Sequence, residues 1–193
     1  IQAEIDDRCF ALYGIDNEDR RAITEGFGSG ATTEDGTDEA ELFLFRAVAA
    51  IPEQPDAVRP GFVAQINETA GTVERITYDA GLNGGLRVNG LGGDDTFVFD
   101  DVSVSTSVYG DEGADTFVVG QFYPTPRIEP DVQPGDAFET VQTPFGYATP
   151  GVSAPTVLYG GAGDDRFTIN GNRGELRVEA ATGNDAFTLL AVP

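Results

Sequence analysis

The chain has no histidine, methionine, tryptophan or lysine, and only one cysteine. Without imidazole there is no histidine general base, no Ser-His-Asp triad and no histidine-ligated zinc or copper site. Cys9 has no partner for an internal disulfide and no adjacent His or Lys to activate it, so it reads as a small apolar residue beside Phe10. Basic charge is scarce: 11 arginines face 33 acidic residues, giving a formal net charge of −22 over 193 residues. Such a chain repels phosphate backbones and anionic headgroups, which excludes nucleic acid and membrane surfaces as partners. No run is long and apolar enough to span a bilayer. The natural counter-charges are metal cations or a basic partner, because self-repulsion opposes compaction. No signal peptide is visible, and the chain opens on Ile1; the expectation is a processed or excised portion of a longer protein.

What is present is repetition. Four stretches spell nearly the same thing: Gly90–Val98 (GLGGDDTFV), Gly110–Val118 (GDEGADTFV), Gly160–Thr168 (GGAGDDRFT) and Ala180–Thr188 (AATGNDAFT). Glycine recurs at the fourth place (Gly93, Gly113, Gly163, Gly183), aspartate at the sixth (Asp95, Asp115, Asp165, Asp185) and phenylalanine at the eighth. The aspartates are 20, 50 and 20 residues apart. The middle gap reads as one 20-residue coil plus 30 extra residues, and the insertion falls within 120–154. That insertion carries six prolines between Pro124 and Pro150, with Phe122, Tyr123, Phe138, Phe145 and Tyr147 among them. Proline cannot donate to a strand ladder, so the segment is an excursion from the sheet, and its aromatics read as a small satellite core.

The flanks of each turn alternate. Phe97 and Phe99, Phe117 and Val119, Phe167 and Ile169, and Phe187 and Leu189 follow the turns; Val88, Val108, Leu158 and Val178 precede them. Period two is the pattern of half-buried strands. The fold expected is all-β, a right-handed parallel β-solenoid of β-roll or β-helix type. Each coil of about 20 residues is strand, glycine turn, strand, second turn. Ile76 and Tyr78 sit 21 residues before Phe97 and Phe99 and read as one coil earlier. Phe43–Val48 echoes Phe187–Val192, and Asp6-Asp7-Arg8 echoes Asp164-Asp165-Arg166. Residues 1–61 therefore read as degenerate coils and loops, the end of a preceding unit or a cap, and 62–193 as the solenoid with its insertion. Glu39–Ile51 also contains helix formers that Thr37 or Asp38 would cap, but the echo favours a strand over Leu42–Phe45.

Gly160–Thr168 fits the repeats-in-toxin (RTX) nonapeptide at every defined position, whereas Asp111 and Leu91 replace the second glycine in two other copies. On these residues the chain resembles the RTX calcium-binding repeat family. It departs from that family in bearing the motif on one side of each coil only. The resemblance implies a single-sided ladder of Ca²⁺ ions, gripped between coils by Asp95, Asp115, Asp165 and Asp185. The backbone of Gly90, Gly93, Gly110, Gly113, Gly160 and Gly163 would help, since glycine turns aim carbonyls inward and calcium wants oxygen ligands. The bland alternative is that Gly and Asp are what tight turns demand; stacked carboxylates would then repel and their pKa values rise. Asp94 and Asp164 point the other way from their neighbours. Asp100 and Asp101 have no clear repeat role. Glu34–Asp38 and Asp16–Arg21 read as solvated loops, and Asn67-Glu68-Thr69 has glycosylation spacing only.

The function expected is structural: a calcium-stiffened module in a stalk, fibre or adhesin of a large secreted or cell-surface bacterial protein. Its partners would be tandem units or second copies stacked end to end, with a glycan or surface protein as a further class. The alternative is an adhesin tip that reads a ligand with residues 121–154. A third reading, a calcium-dependent polysaccharide-active enzyme using Arg127, Arg166 or Arg173 as base, has no acidic constellation around those arginines in the sequence.

Overall fold

Short alternating runs broken by Gly, Asp and Pro leave little room for a helix. A computed structural model of the chain describes residues 40–47, 61–67, 72–79, 81–128 and 137–190, and every regular element among them is a strand. No described helix is long and apolar enough to cross a membrane. The echo Asp6–Arg8, Cys9, and the acidic stretches 16–21 and 34–38 lie outside the described residues.

The fold is all-β with parallel strands. Four strands preceding or entering the glycine turns form one parallel sheet: β4 (Leu86–Asn89), β6 (Thr106–Glu112), β11 (Thr156–Ala162) and β13 (Leu176–Thr182), ordered β13-β11-β6-β4. The strands leaving the turns, β5 (Thr96–Phe99), β7 (Thr116–Val119), β12 (Arg166–Ile169) and β14 (Ala186–Leu189), pair in the same sequence, also parallel. Pairing is in strict motif register: Phe97 opposes Phe117, Phe117 opposes Phe167, and Phe167 opposes Phe187. The hydrophobic pattern fixes this, because a slip of one residue would turn every phenylalanine outward.

This second sheet is larger than the repeats alone provide. β1 (Leu42–Ala47) joins it parallel to β5, with Phe43 opposite Phe97 and Phe45 opposite Phe99. Leu42–Phe45 is thus a strand, as the internal echo favoured, and not a helix. β2 (Gly61–Asn67) and β3 (Thr72–Tyr78) then continue antiparallel, giving the seven-stranded order β14-β12-β7-β5-β1-β2-β3. Two expectations need correction here. The sheets are mixed, not parallel throughout. Ile76 and Tyr78 do not form a coil beneath Phe97 and Phe99; β1 occupies that level, and Ile76 is exposed on the edge strand β3. β1 supplies two phenylalanines at the required spacing, whereas β3 offers one aromatic, so burial selects the distant segment over the adjacent one.

The core lies between the four-stranded parallel sheet and the parallel part of the seven-stranded sheet. Phe43, Phe97, Phe117 and Phe167 stack along it with centroids 4.8–5.0 Å apart, and Phe45 stacks on Phe99 at 4.4 Å. Those separations are the strand spacing of a sheet, so each ring meets its copy on the next strand. Val108 and Leu158 close the core from the opposite sheet. A second cluster on the other face, Leu42, Leu44, Phe62, Ala64, Ile66, Val73 and Val98, is buried beside β1 and β2.

The insertion forms its own antiparallel sheet of β8 (Phe122–Tyr123), β9 (Val141–Thr143) and β10 (Gly146–Ala148), ordered β8-β10-β9. Tyr123 and Phe138 are buried within it edge to face. It is riveted to the main sheet through charge. Arg46 on β1 reaches Asp100 with Nε at 2.9 Å and Nη2 at 2.8 Å, and both residues are fully buried. Gln121 Nε2 donates to the other Asp100 oxygen at 2.9 Å, and the Tyr123 hydroxyl donates to the carboxylate at 3.1 Å. The Arg46 guanidinium lies 4.4 Å from the Phe138 ring centroid. Asp100, without a role in the repeat, is the anchor of this network.

Candidate functional site: the aspartate column

The register that stacks the phenylalanines also stacks the sixth-place aspartates, two residues upstream. Their side chains point into the turn, and each Oδ1 accepts a backbone N–H from the neighbouring level. The Asp95 N–H donates to Asp115 at 2.8 Å, the Asp115 N–H to Asp165 at 2.9 Å, and the Asp165 N–H to Asp185 at 3.0 Å. At the β1 end the Glu41 N–H donates to Asp95 at 2.8 Å. A continuous chain of backbone-to-carboxyl hydrogen bonds therefore links five levels. The fifth-place residues bond in the opposite direction on the exposed side: Asp94 accepts from the Ala114 N–H at 2.7 Å, and Asp164 from the Asn184 N–H at 2.9 Å.

The glycines have two separate jobs. Those at the fourth place (Gly93, Gly113, Gly163, Gly183) hold positive φ, from +104° to +147°. A Cβ on Gly113 would run into the Gly93 carbonyl, so only glycine lets successive turns nest. Those at the first place (Gly90, Gly110, Gly160) instead make room for the carboxylate. A Cβ on Gly110 would occupy the space of Asp115 Oδ2, and the same holds for Gly90 with Asp95 and Gly160 with Asp165. The terminal copy has Ala180 at that place, and its Asp185 is only half-buried.

Asp95, Asp115 and Asp165 are each 1% exposed. Their Oδ2 atoms are buried and have no hydrogen-bond partner. Removal from water dominates their titration: burial, then the neighbouring carboxylates, raises Asp95 to about 8 and Asp115 to about 7, against the backbone donors that lower both. Asp165 is raised for the same reasons, with Asp185 and Asp164 as its acidic neighbours. The further acids facing the column are Glu41, Asp94 and Asp111.

A raised carboxyl pKa has a definite sign for stability. Between the unfolded value near 3.8 and the folded values near 7 and 8, the folded chain holds protons that the unfolded chain has released. The contribution of these groups is full at and below the unfolded value near 3.8 and declines by about 1.4 kcal/mol per pH unit per group up to the folded pKa. In chelator, the melting temperature is expected to fall between pH 5 and pH 9, and Asp115→Asn to flatten that slope. Circular dichroism melts across this range check it; a melting temperature that climbs with pH contradicts it.

Calcium takes six to eight oxygens at 2.3–2.6 Å. The column offers the right kind of donor, one buried unpartnered carboxylate oxygen per level at Asp95, Asp115 and Asp165. The Gly110 carbonyl lies on the same side of Gly90 as Asp95 Oδ2, and the Gly160 and Ala180 carbonyls repeat this one and two levels on. It does not offer a full set: among the described residues no three His, Cys, Asp or Glu side chains gather as a metal cluster. Carboxylate and carbonyl oxygens are the donor type that a hard cation takes.

The arginines considered as bases sit elsewhere. Arg127 is buried among the insertion aromatics, with Tyr123 and Phe138 rings 5.2 and 5.5 Å away. Arg173 is paired to Glu139 at 2.7 and 2.9 Å. Arg166 is exposed on β12. The Arg46–Asp100–Tyr123–Gln121 network escaped sequence reading because its members share no spacing; basic charge carried by Arg alone, with no Lys, was the only hint of buried guanidinium groups. Comparisons with family models, with curated proteins and with solved structures find no match to this chain.

Proposed function

We propose that this chain is a non-catalytic structural module, a right-handed parallel β-solenoid whose aspartate column holds Ca²⁺, as in RTX-type repeats. The observation that carries the reading is the line of buried carboxylate oxygens left without partners at successive levels. Three unneutralised carboxylates in a column are costly, and a cation that binds only the stacked turns stabilises the stack by mass action. The winding is supported by two sets of parallel strands, β13-β11-β6-β4 and β14-β12-β7-β5, that repeat one strand order in one register. Parallel strands joined by crossovers are right-handed in nearly all proteins. A net charge of −22 and a weak-site donor set suit the millimolar calcium outside cells, so we place the module in a secreted or cell-surface bacterial stalk, fibre or adhesin.

The alternative, a ligand reader built on residues 121–154, draws on a cavity of about 530 Å³ between Val141–Thr143 of the insertion and Leu189–Leu190 of the last level. The insertion's aromatics favour the structural reading, since Tyr123 and Phe138 are buried and Phe145 alone among them is largely exposed.

The test is a thermal melt at pH 7.5 in millimolar calcium and in chelator. Calcium at about 100 times its dissociation constant adds about 2.7 kcal/mol and lifts the melting temperature by roughly 5–10 °C. A melting temperature indifferent to both conditions removes calcium from the proposal.

A further inference from the structure

Asparagine is followed by glycine at three places in the chain: Asn83-Gly84, Asn89-Gly90 and Asn170-Gly171. Such a pair is chemically reactive, because glycine has no side chain to keep its backbone nitrogen away from the preceding carboxamide. The fold treats the three pairs differently. Asn89 lies in β4; the Gly90 N–H donates to the Tyr109 carbonyl at 2.8 Å, and Asn89 Oδ1 accepts from Arg87 Nε at 3.0 Å. Asn170 follows β12; its Nδ2 donates to the Gly120 carbonyl at 3.0 Å, and the Gly171 N–H donates to the Val119 carbonyl at 3.3 Å. In both pairs the nitrogen and the carboxamide are tied to separate partners. Asn83 lies between β3 and β4, where Asn83 and Gly84 are both exposed and a Cβ on Gly84 would meet nothing within 4 Å. The turn is held by its other members: the Gly81 N–H donates to Asp79 Oδ1 at 2.8 Å, the Asn83 N–H to the Gly81 carbonyl at 2.8 Å, and the Gly85 N–H to the Leu82 carbonyl at 3.3 Å. Among the described residues no acceptor takes the Gly84 N–H, and the Asn83 carboxamide makes no hydrogen bond.

We propose that Asn83 is a site of self-modification selected by the fold, with the Gly84 backbone nitrogen as nucleophile and water as the second reactant. The Gly84 nitrogen attacks Asn83 Cγ and a new C–N bond closes a succinimide ring. The carboxamide nitrogen leaves as ammonia, carrying away the proton that the Gly84 nitrogen gives up. Water then adds to one of the two ring carbonyls, and the C–N bond at that carbon breaks. Opening on one side leaves aspartate at position 83. Opening on the other leaves isoaspartate, in which the main chain runs through the former side-chain carbon. Both products add a negative charge to the turn. Isoaspartate also adds one atom to the main chain just ahead of Gly85, which lies against the Ser105 carbonyl, and of Leu86, whose N–H donates to that carbonyl at 2.8 Å. The reaction thus marks the entry to β4 with the age of the molecule. Asn89 and Asn170 react only when the bonds that hold them open, so their conversion waits on local unfolding. The inference is independent of calcium and of the winding.

The test is a time course of the full chain at mildly alkaline pH, well below its melting temperature, with a parallel sample in denaturant. Peptide mapping by mass spectrometry follows the amide-to-acid conversion at each of the three sites. Isoaspartate is counted by methyl transfer from S-adenosylmethionine with an isoaspartyl methyltransferase. In the folded chain Asn83 is expected to convert at least about tenfold faster than Asn89 or Asn170, and in denaturant the three rates are expected to converge. Gly84→Ala is expected to slow conversion at Asn83 about tenfold by crowding the attacking nitrogen, and to leave the melting temperature unchanged, since the added methyl group meets nothing. Equal rates at the three sites of the folded chain, faster conversion at Asn89 or Asn170, or undiminished conversion in Gly84→Ala overturns the proposal. So does a folded chain that keeps Asn83 intact while the denatured chain converts it.

Discussion

Arg46→Met is expected to be among the most destabilising single changes in the described residues. Arg46 and Asp100 are 1% and 0% exposed and meet through Nε and Nη2. Removing the guanidinium leaves a carboxylate in the interior without the Arg46 charge, while Tyr123 and Gln121 still donate to it. Breaking one partner of such a pair costs about 3–5 kcal/mol, because the survivor's charge is stranded away from water. For a chain of this size that is a fall of roughly 8–15 °C in melting temperature. The double variant Arg46→Met/Asp100→Asn is expected to recover much of the loss, since an amide still accepts from Tyr123 and Gln121 without a charge to strand. Calorimetry of the two variants separates a charge effect from a packing effect. Equal destabilisation of single and double variants assigns the loss to packing under Phe62 and Phe138 instead.

Gly110→Ala is the second large effect, and it acts through Asp115. One methyl group at Gly110 takes the place of Asp115 Oδ2 and presses on the Gly160 carbonyl of the next level. The carboxylate must swing out, and the bond from the Asp95 N–H is lost with it. Overpacking of about 1–3 kcal/mol plus a charge-assisted bond gives a total of roughly 3–5 kcal/mol. Gly84→Ala is the control, because a Cβ there meets nothing within 4 Å. Amide exchange at Asp95 is the local readout, expected to quicken in Gly110→Ala and to stay unchanged in Gly84→Ala. A slow Asp95 amide in Gly110→Ala would show that the carboxylate has not moved.

The repeat was legible because its chemistry is local. A tight turn demands glycine, a strand alternates, and four copies in phase reveal both. Asp95, Asp115, Asp165 and Asp185 fall in one column as their spacing requires. The role of the first-place glycines was not legible: Gly90, Gly110 and Gly160 do not adopt positive φ but clear space for a carboxylate five residues on. The second place runs the other way. Leu91, Asp111 and Ala181 stand at φ of +79°, +74° and +72°, so the backbone keeps the left-handed form even where the glycine is gone. The level filled by β1 was misassigned because sequence distance is a weak guide to stacking. Ile76 and Tyr78 came within one residue of the repeat separation, yet Phe43 and Phe45 had the better side chains. The Arg46–Asp100 network was invisible because its partners come from three segments with no common period.

The direction of the backbone bonds has a mechanical consequence. They run along the pile of strands, so a pull along that axis loads them one level at a time, like a zip, while a pull along the strands shears many at once. Unwinding from the β14 end would pay out chain in quanta. A 20-residue level releases roughly 70 Å of contour, and the 50-residue level that carries the insertion roughly 175 Å. The insertion, riveted by Asp100, would hold that longer reserve until the buried ion pair gives way, and would let a stretched module yield in graded steps.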